Sequence, residues 1–391
     1  MSEKRRLGIW FTATAVTFLT RAMLFSTWQS RSPEVMHSLH LNTTQMGLLV
    51  MLFPAGGALG IIFASSLMKR FGVGRMTVAG FTVGALSLAG LAFTIPAGNV
   101  FASAALVLTL GLPMAFADFA SNYEATEVDK KSKRSLLPLL HSTFGVGMML
   151  AATFSGWLLS INVGIGVNYL IVAAVSLVAA VWAGLSFPKS HFARETNAEK
   201  SQRKVLSRVV WSENRTLVIA FIGVSFIIAE LSAGTWMPIA LERSGFSPAD
   251  AANALGLFWI AITLTRVVGG FVVDKLGRFR TILLSTLVTS VGISFFIFNE
   301  VIHQPYLGLV LWASGLALGF PMSANAQSDN TERSPFRINL MITLVYIASI
   351  SVGPLLGSIG QSFGLYFAFS VPLVLMLVSA LLSGKTKPER L

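Results

Sequence analysis

Long apolar runs with few charges are the feature of this sequence that most restricts its fold. A helix needs about 20 predominantly apolar residues to cross the hydrocarbon core of a bilayer, and turn residues such as 96-PAGN-99 separate consecutive runs here. Twelve runs are long enough, near 7–29, 45–67, 76–95, 100–128, 137–160, 166–187, 215–238, 250–273, 280–299, 305–328, 336–359 and 363–384. We therefore predict an all-α membrane protein with twelve transmembrane helices.

The composition agrees with a membrane location and excludes several kinds of site. Of the 391 residues, 54% are hydrophobic and 12% are charged, whereas a soluble domain has about 45–50% apolar and about 25% charged residues. Because the chain has no cysteine, a disulfide framework, a thiolate metal site and a cysteine nucleophile are excluded. The first run follows 4-KRR-6, but it is too long for a signal peptide and lacks a small-residue cleavage site, so we expect a retained first span.

The distribution of Lys and Arg predicts the orientation of the chain. Cytoplasmic loops of membrane proteins collect these residues, and with both termini in the cytoplasm the inner segments hold 25 of the 29. Arg31 would then lie at the outer mouth, where an arginine ordinarily snorkels toward water. The net charge of +12 is spread over seven short segments and forms no single basic face, so it indicates topology and no nucleic-acid partner.

The chain divides into two similar halves at its longest hydrophilic stretch. We expect one six-helix bundle over 1–188, a cytoplasmic loop over 189–214 and a second bundle over 215–391. Three motifs recur in the same order, 27-TW-28, 47-GLL-49 and 69-KRFG-72 against 235-TW-236, 256-GLF-258 and 274-DKLG-277. Such a repeat is typical of transporters with a site near the bilayer midplane. The end of the loop, from Val205, is either a short helix on the membrane surface or an unstructured tether.

The segment between the eighth and ninth runs resembles a family signature. The sequence 270-GFVVDKLGRFR-280 is similar to the Gly-x-x-x-Asp-Lys/Arg-x-Gly-Arg pattern of the major facilitator superfamily. The first-half copy, 65-SSLMKRFGVGR-75, departs from it with Ser65 for Gly and Lys69 for Asp. The resemblance implies two pseudo-symmetric six-helix bundles, with helices one, four, seven and ten around a central cavity.

Shorter motifs resemble one branch of that superfamily. They are 28-WQSRSP-33, 118-DFASNYE-124, 141-HSTFG-145 and the segment from Glu230 to Trp236. Similar motifs occur in bacterial inner-membrane permeases near the fucose:proton symporter branch. The resemblance implies a permease without naming its solute.

The fourth run carries acidic side chains that a lipid-facing helix would not tolerate. An ionisable side chain at the bilayer centre costs about 2.5–3.5 kcal/mol on insertion scales. Asp118 and Asn122 share a helix face, and in the symporter branch a carboxylate on this helix resembles a proton or substrate site. We predict proton coupling at Asp118 and Glu124 and substrate contact at Asn122. The alternative for Asp118 is a structural cap or an ion pair with a neighbouring helix.

Two further charges lie at matching depths of the first and seventh runs. Arg21 precedes Trp28 by seven residues and Glu230 precedes Trp236 by six. Either these two charges pair with each other, or Arg21 receives an anionic group while Glu230 takes a proton; a locking salt bridge that substrate never touches is the third interpretation. The two tryptophans either stack on a sugar ring or anchor at the membrane interface. We predict proton coupling for Glu230 and substrate binding for the other three.

The remaining candidates lie toward the cytoplasmic ends of the runs. Asn325 and Asp329 share one face of the tenth run, and we predict that Asn325 contacts substrate. The residues expected in gating are Arg266, Asp274, Gly277, Arg278 and His141. Glycine pairs such as Gly56 and Gly60 predict close helix packing.

These features together predict a secondary active transporter that works by alternating access. We expect symport of protons with a small polar solute, sugar-like or a small organic acid, because membrane carboxylates are present and an ATP-binding loop is not. The alternative is a proton-driven antiporter for drug or metabolite efflux. No His-Glu-x-x-His motif is present, and a single-chain repeat does not fit a channel. We expect a monomer in the bacterial inner membrane, with no enzyme activity, cofactor or metal.

Overall fold

The computed structural model describes residues 3–132, 136–188, 205–302 and 304–389, and these residues form helices joined by short connections, with no strand among them. The helices are α1 (Glu3–Ser30), α2 (Ser32–Ser38), α3 (Thr43–Phe71), α4 (Val73–Thr94), α5 (Val100–Lys131), α6 (Leu137–Ser160), α7 (Ile165–Ser186), α8 (205–210), α9 (Asn214–Arg243), α10 (Pro248–Ile297), α11 (Asn299–Ile302), α12 (Pro305–Gln327), α13 (Ser334–Phe363), α14 (Leu365–Ala368) and α15 (Ser370–Leu382).

Twelve membrane spans are accommodated in this helix order. Eleven stretches of the described residues are long and apolar enough to cross a membrane. One of them, α10, has 50 residues, about 75 Å at the rise of an α-helix and more than twice the hydrocarbon thickness. Gly277 interrupts it with φ 73° and ψ 163°, a conformation that glycine adopts without steric cost. The signature glycine therefore divides α10 into the two spans predicted from the sequence.

Side-chain caps fix where two of the early spans begin. Asn42 and Gln45 form a reciprocal capping box at α3, with both hydrogen bonds at 2.9 Å. Asn99 caps α5 by accepting from the amide of Ala102 at 3.0 Å. Such caps satisfy backbone donors that have no partner within the helix, so the turn residues of the sequence place these two starts within two residues of the predicted positions.

The first compact unit comprises Met1–Phe192 together with Gly234–Ile260. Within it, α1 packs on α6, α3 on α5, and α4 on both α5 and α7. Gly56 of α3 lies so close to α5 that a Cβ there would stand 2.0 Å from the Leu108 carbonyl oxygen, and at Gly60 the distance to the Leu112 oxygen would be 2.2 Å. The close helix contact predicted from this glycine pair is confirmed.

The second compact unit comprises Ala193–Ala233 and Ala261–Leu391. The division differs from the sequence-based one at 234–260, which was expected in the second bundle and clusters with the first unit instead. The reason is local packing: Gly156 of α6 meets Asn253 of α10, and Gly256 of α10 meets Thr153 of α6, both too closely for an added Cβ. The end of α9 and the start of α10 thus belong to the first unit by contact.

The end of the central loop is helical where the structure describes it. In α8, Val210 is buried and packs with Ala220, Leu340 and Met341 of the second unit. Trp211, directly after the helix, keeps 45% of its surface exposed. The short helix, one of the two interpretations of this segment, is therefore the one found, while residues 189–204 of the predicted loop lie outside the described residues.

Candidate functional site

An ion pair joins Arg21 of α1 to Asp118 of α5 inside the first unit. Asn122, one turn further along α5, donates from Nδ2 to Asp118 Oδ1 at 2.9 Å and to the Asp118 carbonyl at 2.8 Å. The Asp118 side chain keeps 39% of its surface exposed and that of Arg21 keeps 15%. The carboxylate is held between a cation and an amide, yet one side of it stays accessible.

Aromatic rings surround the Arg21 guanidinium. Its Cζ lies 4.8 Å from the ring centroid of Phe144 and 5.5 Å from that of Phe18, within the range of cation–π attraction. His141, at the start of α6, packs edge-on against Phe18 with the centroids 4.9 Å apart. The expected gating residue His141 thus lies one ring away from Arg21.

A second pair lies inside the second unit. Glu230 of α9 and Arg266 of α10 approach to 3.7 Å between Oε2 and Nη2, a distance too long for a hydrogen bond but short enough for strong attraction where water is scarce. Arg266 also donates from Nε to the Ala317 carbonyl of α12 at 3.2 Å. The arginine therefore ties the carboxylate to two neighbouring helices.

These two pairs differ from the pairing that the sequence led us to expect. We expected Arg21 to pair with Glu230, or to receive an anionic group directly. The structure records Arg21 with Asp118 and Glu230 with Arg266, each partner within the same unit. The correction has a geometric cause, because depth along a helix is readable from the sequence but the direction in which a side chain faces is not.

Glu124 occupies a different environment from Asp118, although both are on α5. Its side chain is 1% exposed, and Oε2 accepts a hydrogen bond from Nε1 of Trp10 at 2.5 Å. Among the described residues, Oε1 has no hydrogen-bond partner. Glu124 therefore lies in the interior of the first unit, and proton coupling at this side chain stays a prediction.

Trp28 and Trp236 are both interior residues. Each keeps 1% of its surface exposed, so the interpretation as anchors at the lipid interface is wrong for both. Nε1 of Trp236 has no hydrogen-bond partner among the described residues. A buried indole N–H without an acceptor is available to a ligand, which leaves the predicted role in substrate binding as the one to test.

The end of α9 packs on α2 and α3 within the first unit. The contacts are Ser32 Oγ to the Thr235 carbonyl at 2.9 Å, Arg243 to Thr43 Oγ1 at 3.0 Å and His37 to Glu242 at 3.2 Å.

Arg31 is not the snorkelling arginine that we expected. Its side chain is fully buried, and it donates to Asn168 Oδ1 at 3.0 Å, to the Val163 carbonyl at 2.9 Å and to Glu34 Oε2 at 2.6 Å. The acceptors come from α7, from the connection between α6 and α7, and from α2. This closed network makes Arg31 a structural residue.

Arg278, the arginine of the signature, binds the carboxylate of Asp329 in the connection between α12 and α13. Arg278 donates to both oxygens of Asp329 at 2.7 and 2.8 Å, and Arg215 donates to the same carboxylate at 2.6 Å. Asn325 accepts from Arg278 at 3.1 Å, and its contact with substrate stays a prediction. Burial raises the pKa of Asp329, but the hydrogen bonds from Arg278, the Glu389 amide and Arg215 outweigh it and hold that pKa below its usual range.

A second carboxylate node lies beside the first. Glu213 accepts from Arg337 at 2.7 Å and from Arg333 and Thr216 at 2.6 Å each. Burial raises its pKa, yet the hydrogen bonds from Arg337, Thr216 and Arg333 prevail and lower it. Glu389 joins the two nodes because it bonds with both Arg215 and Arg337.

Sequence reasoning missed most of this arginine–carboxylate network. Arg215 and Arg337 entered it only through the count of basic residues in the inner segments, and Glu213 and Glu389 were not considered. Few acids occur in those basic segments, so each acid was a candidate ion-pair partner. Asp274, the signature acid, is exposed. Among the described residues, no group of three or more histidine or acidic side chains is placed to hold a metal ion.

Comparison with known proteins agrees with this architecture. The model of the Major Facilitator Superfamily matches residues 10–336. An uncharacterised MFS-type transporter of Yersinia pestis is 25% identical over 371 residues, which cover 94% of each chain. A cis,cis-muconate transport protein of Acinetobacter baylyi is 26% identical over 306 residues, covering 73% of this chain and 70% of that protein.

The fold also matches a solved structure. FucP, a Major Facilitator Superfamily transporter in its outward conformation, superposes with a TM-score of 0.68 at 15% identity, covering 97% of this chain and 99% of FucP. At this identity the likeness concerns the fold alone.

Proposed function

Because the chain belongs to the Major Facilitator Superfamily, we propose that it carries a small polar solute into the cell by alternating access, together with protons. The family makes it a multi-pass secondary transporter and not an enzyme. The proposal adds the solute class, the coupling ion, a bacterial inner-membrane location with cytoplasmic termini, and function as a monomer.

The observation that carries the proposal is one carboxylate–arginine pair within the membrane-spanning helices of each unit. These are Asp118 with Arg21 and Glu230 with Arg266. A charge at the bilayer centre costs about 2.5–3.5 kcal/mol on insertion scales, and removing one partner leaves the other uncompensated. Such pairs therefore respond strongly to any proton or solute that takes the place of a partner.

Proton symport follows from competition for Arg21. When a proton neutralises Asp118, the guanidinium loses its anionic partner and becomes available to a hydrogen-bond acceptor on the solute. Conversely, a solute that occupies Arg21 leaves Asp118 without its cation, and a carboxylate that loses a neighbouring cation favours protonation. Proton and solute thus bind in the same step, with Asn122 donating to whichever oxygen replaces the carboxylate.

The same competition indicates the solute class. Arginines donate hydrogen bonds and accept none, so the solute should carry acceptor groups such as carboxylates or sugar hydroxyls. The transport of cis,cis-muconate that names the Acinetobacter relative supports a small organic acid. Trp236, with its buried and unpartnered indole N–H, offers one further donor.

Proton-driven efflux is the second candidate, and Glu124 favours it. This carboxyl group has an oxygen without a partner among the described residues and forms no ion pair there. A cationic solute could exchange with a proton on such a group, and this exchange is how a proton antiporter works.

Reconstituted protein distinguishes the two candidates. Proteoliposomes containing a pH-sensitive dye would be given cis,cis-muconate, D-xylose or ethidium under an imposed pH gradient. The proposal expects muconate or xylose to accumulate while protons enter with it, and expects Asp118→Asn and Glu230→Gln to abolish both. Asp250→Asn, at an exposed position of α10, is the matched control and should transport normally.

Each contrary outcome is informative. Ethidium moving against the proton flux would replace the proposal by the efflux candidate. Wild-type uptake and proton entry in both Asp118→Asn and Glu230→Gln would remove these pairs from the coupling mechanism.

A further inference from the structure

A cleft of about 400 Å³ opens at one end of the first unit. It lies among the start of α1, the end of α5 and the end of α7, and its size falls within the usual range of small-molecule sites. The lining residues are Arg6, Leu7, Ile9, Trp10, Lys131, Ser186, Phe187 and Pro188. None of the residues of the Arg21–Asp118 and Glu230–Arg266 pairs lines this cleft.

The charges of this cleft are unbalanced. Arg6 and Lys131 line it, whereas none of the lining residues is acidic. Neither cation has a carboxylate partner among the described residues, and both side chains are exposed. Lys131 Nζ instead stands 5.0 Å from the ring centroid of Trp10, a weak cation–π contact that an anion can outcompete. Among the described residues, the cleft therefore has two cations and no anion to balance them.

The apolar part of the lining indicates where that anion comes from. The wall beside the two cations is apolar and is formed by Leu7, Ile9, Phe187 and Pro188. A freely dissolved anion would not need such an apolar surface. On the predicted topology this end of the helices lies at the cytoplasmic leaflet, where anionic lipids collect, and basic pockets between transmembrane helices there bind lipid head groups.

We propose that this cleft binds the phosphate head group of an anionic phospholipid from the cytoplasmic leaflet. The phosphate lies between Arg6 and Lys131, the glycerol region lies against Phe187 and Pro188, and the acyl chains run along the apolar outside of the helices. The binding itself does not depend on the proposed transport.

The position of Trp10 gives the bound lipid a consequence inside the protein. Its ring faces Lys131 at the cleft, and its Nε1 donates to the buried Glu124. A phosphate that draws Lys131 away from the ring changes the environment of Trp10, which contacts both the cleft and the carboxyl group. Lipid occupancy is thereby linked to Glu124.

Binding is tested with purified protein and short-chain lipids. Dioctanoyl phosphatidylglycerol should raise the unfolding temperature, whereas dioctanoyl phosphatidylcholine and inorganic phosphate should not. One basic side chain near an anionic surface contributes about a fivefold change in affinity, so R6Q/K131Q should bind phosphatidylglycerol about 25-fold more weakly. K69Q/R75Q removes two exposed basic residues elsewhere and should bind like the wild type.

A contact measurement covers the case in which R6Q/K131Q does not fold. Phosphatidylglycerol with brominated acyl chains should quench more tryptophan fluorescence than brominated phosphatidylcholine. This difference between the two lipids should vanish in Trp10→Phe. It should persist in the control Trp157→Phe, which alters an exposed tryptophan of α6. Equal quenching by both lipids overturns the proposal, as does equal affinity of R6Q/K131Q and K69Q/R75Q. Stabilisation by inorganic phosphate at the same concentration would assign the cleft to a soluble anion and overturn the lipid.

Discussion

Arg278 holds Asp329 through both carboxylate oxygens, at 2.7 and 2.8 Å. The arginine directly follows Gly277, whose positive φ breaks α10, while the aspartate lies in the connection between α12 and α13. A two-point contact of this kind fixes orientation as well as distance. The family signature thus holds the break in α10 at Gly277 against the connection between α12 and α13, through the contact of Arg278 with Asp329.

Replacing Arg278 by lysine should remove the two-point contact with Asp329. Lysine keeps the charge but cannot donate two parallel hydrogen bonds, and hydrogen bonds to charged groups contribute about 1.5–3 kcal/mol each. We expect Arg278→Lys to lower the free energy of unfolding of purified protein by about 1–3 kcal/mol. The control is Lys275→Arg, at an exposed signature position; equal stability of both variants would contradict a locking role for the two-point contact.

The two carboxylate nodes predict a loss of stability in acid. The pKa values of Asp329 and Glu213 are lowered in the folded protein from 3.8 and 4.5, so the unfolded chain binds more protons between the unfolded and folded pKa values. Their stabilisation is complete above the unfolded values and is lost as the pH falls through the folded ones. The unfolding temperature should therefore drop below about pH 4.5.

Thermal unfolding between pH 7 and pH 3 measures this effect. The double variant E213Q/D329N should be less stable than the wild type at pH 7, and the difference should shrink toward pH 3. The double variant removes two negative charges, and Glu332→Gln, at an exposed position of the connection between α12 and α13, measures the effect of removing one. A constant difference across the range would show that the nodes stabilise by packing alone.

The helix positions were predictable because they depend on chain length and apolarity alone. The Gly277 break was also predictable, since a signature glycine fell between two runs that are each one span long. The ion-pair partners were not, because successive residues of an α-helix point about 100° apart and a small rotation exchanges one neighbour for another. That is why a pair of Arg21 with Glu230 was one of the interpretations considered, although Arg21 contacts Asp118.

Burial was misjudged wherever it depended on a loop. Arg31 was interpreted as a surface arginine, yet a carbonyl of the α6–α7 connection and Asn168 at the start of α7 enclose it. Apolar patterns do not encode backbone acceptors in a connection. The network of Glu213, Arg215 and Glu389 escaped for the same reason, because its members lie at helix ends and in connections.

Gly56→Ala should destabilise the first unit. A Cβ at this position would stand 2.0 Å from the backbone oxygen of Leu108, and backbone cannot rotate away as a flexible side chain can. Inserting atoms into a packed contact costs about 1–3 kcal/mol, and unfolding in denaturant would measure it. Gly8→Ala is the matched control, because nothing lies within 4 Å of a Cβ there; equal effects of both would contradict the close packing of α3 on α5.

Glu124→Gln separates the structural role of this side chain from its role with protons. The amide oxygen of glutamine can still accept from Trp10 Nε1, so the variant should keep the wild-type unfolding temperature to within a few degrees, which corresponds to less than about 1 kcal/mol. Glutamine cannot take up a proton. If Glu124 carries the coupling proton, solute uptake in proteoliposomes should lose its dependence on pH while solute binding persists.

Trp10→Phe is the companion variant, because it removes the hydrogen bond to Glu124 and keeps the carboxyl group. It should shift the pH profile of uptake without abolishing it. An unchanged pH profile in Glu124→Gln would assign the coupling to Asp118 or Glu230 and leave Glu124 as a packing residue.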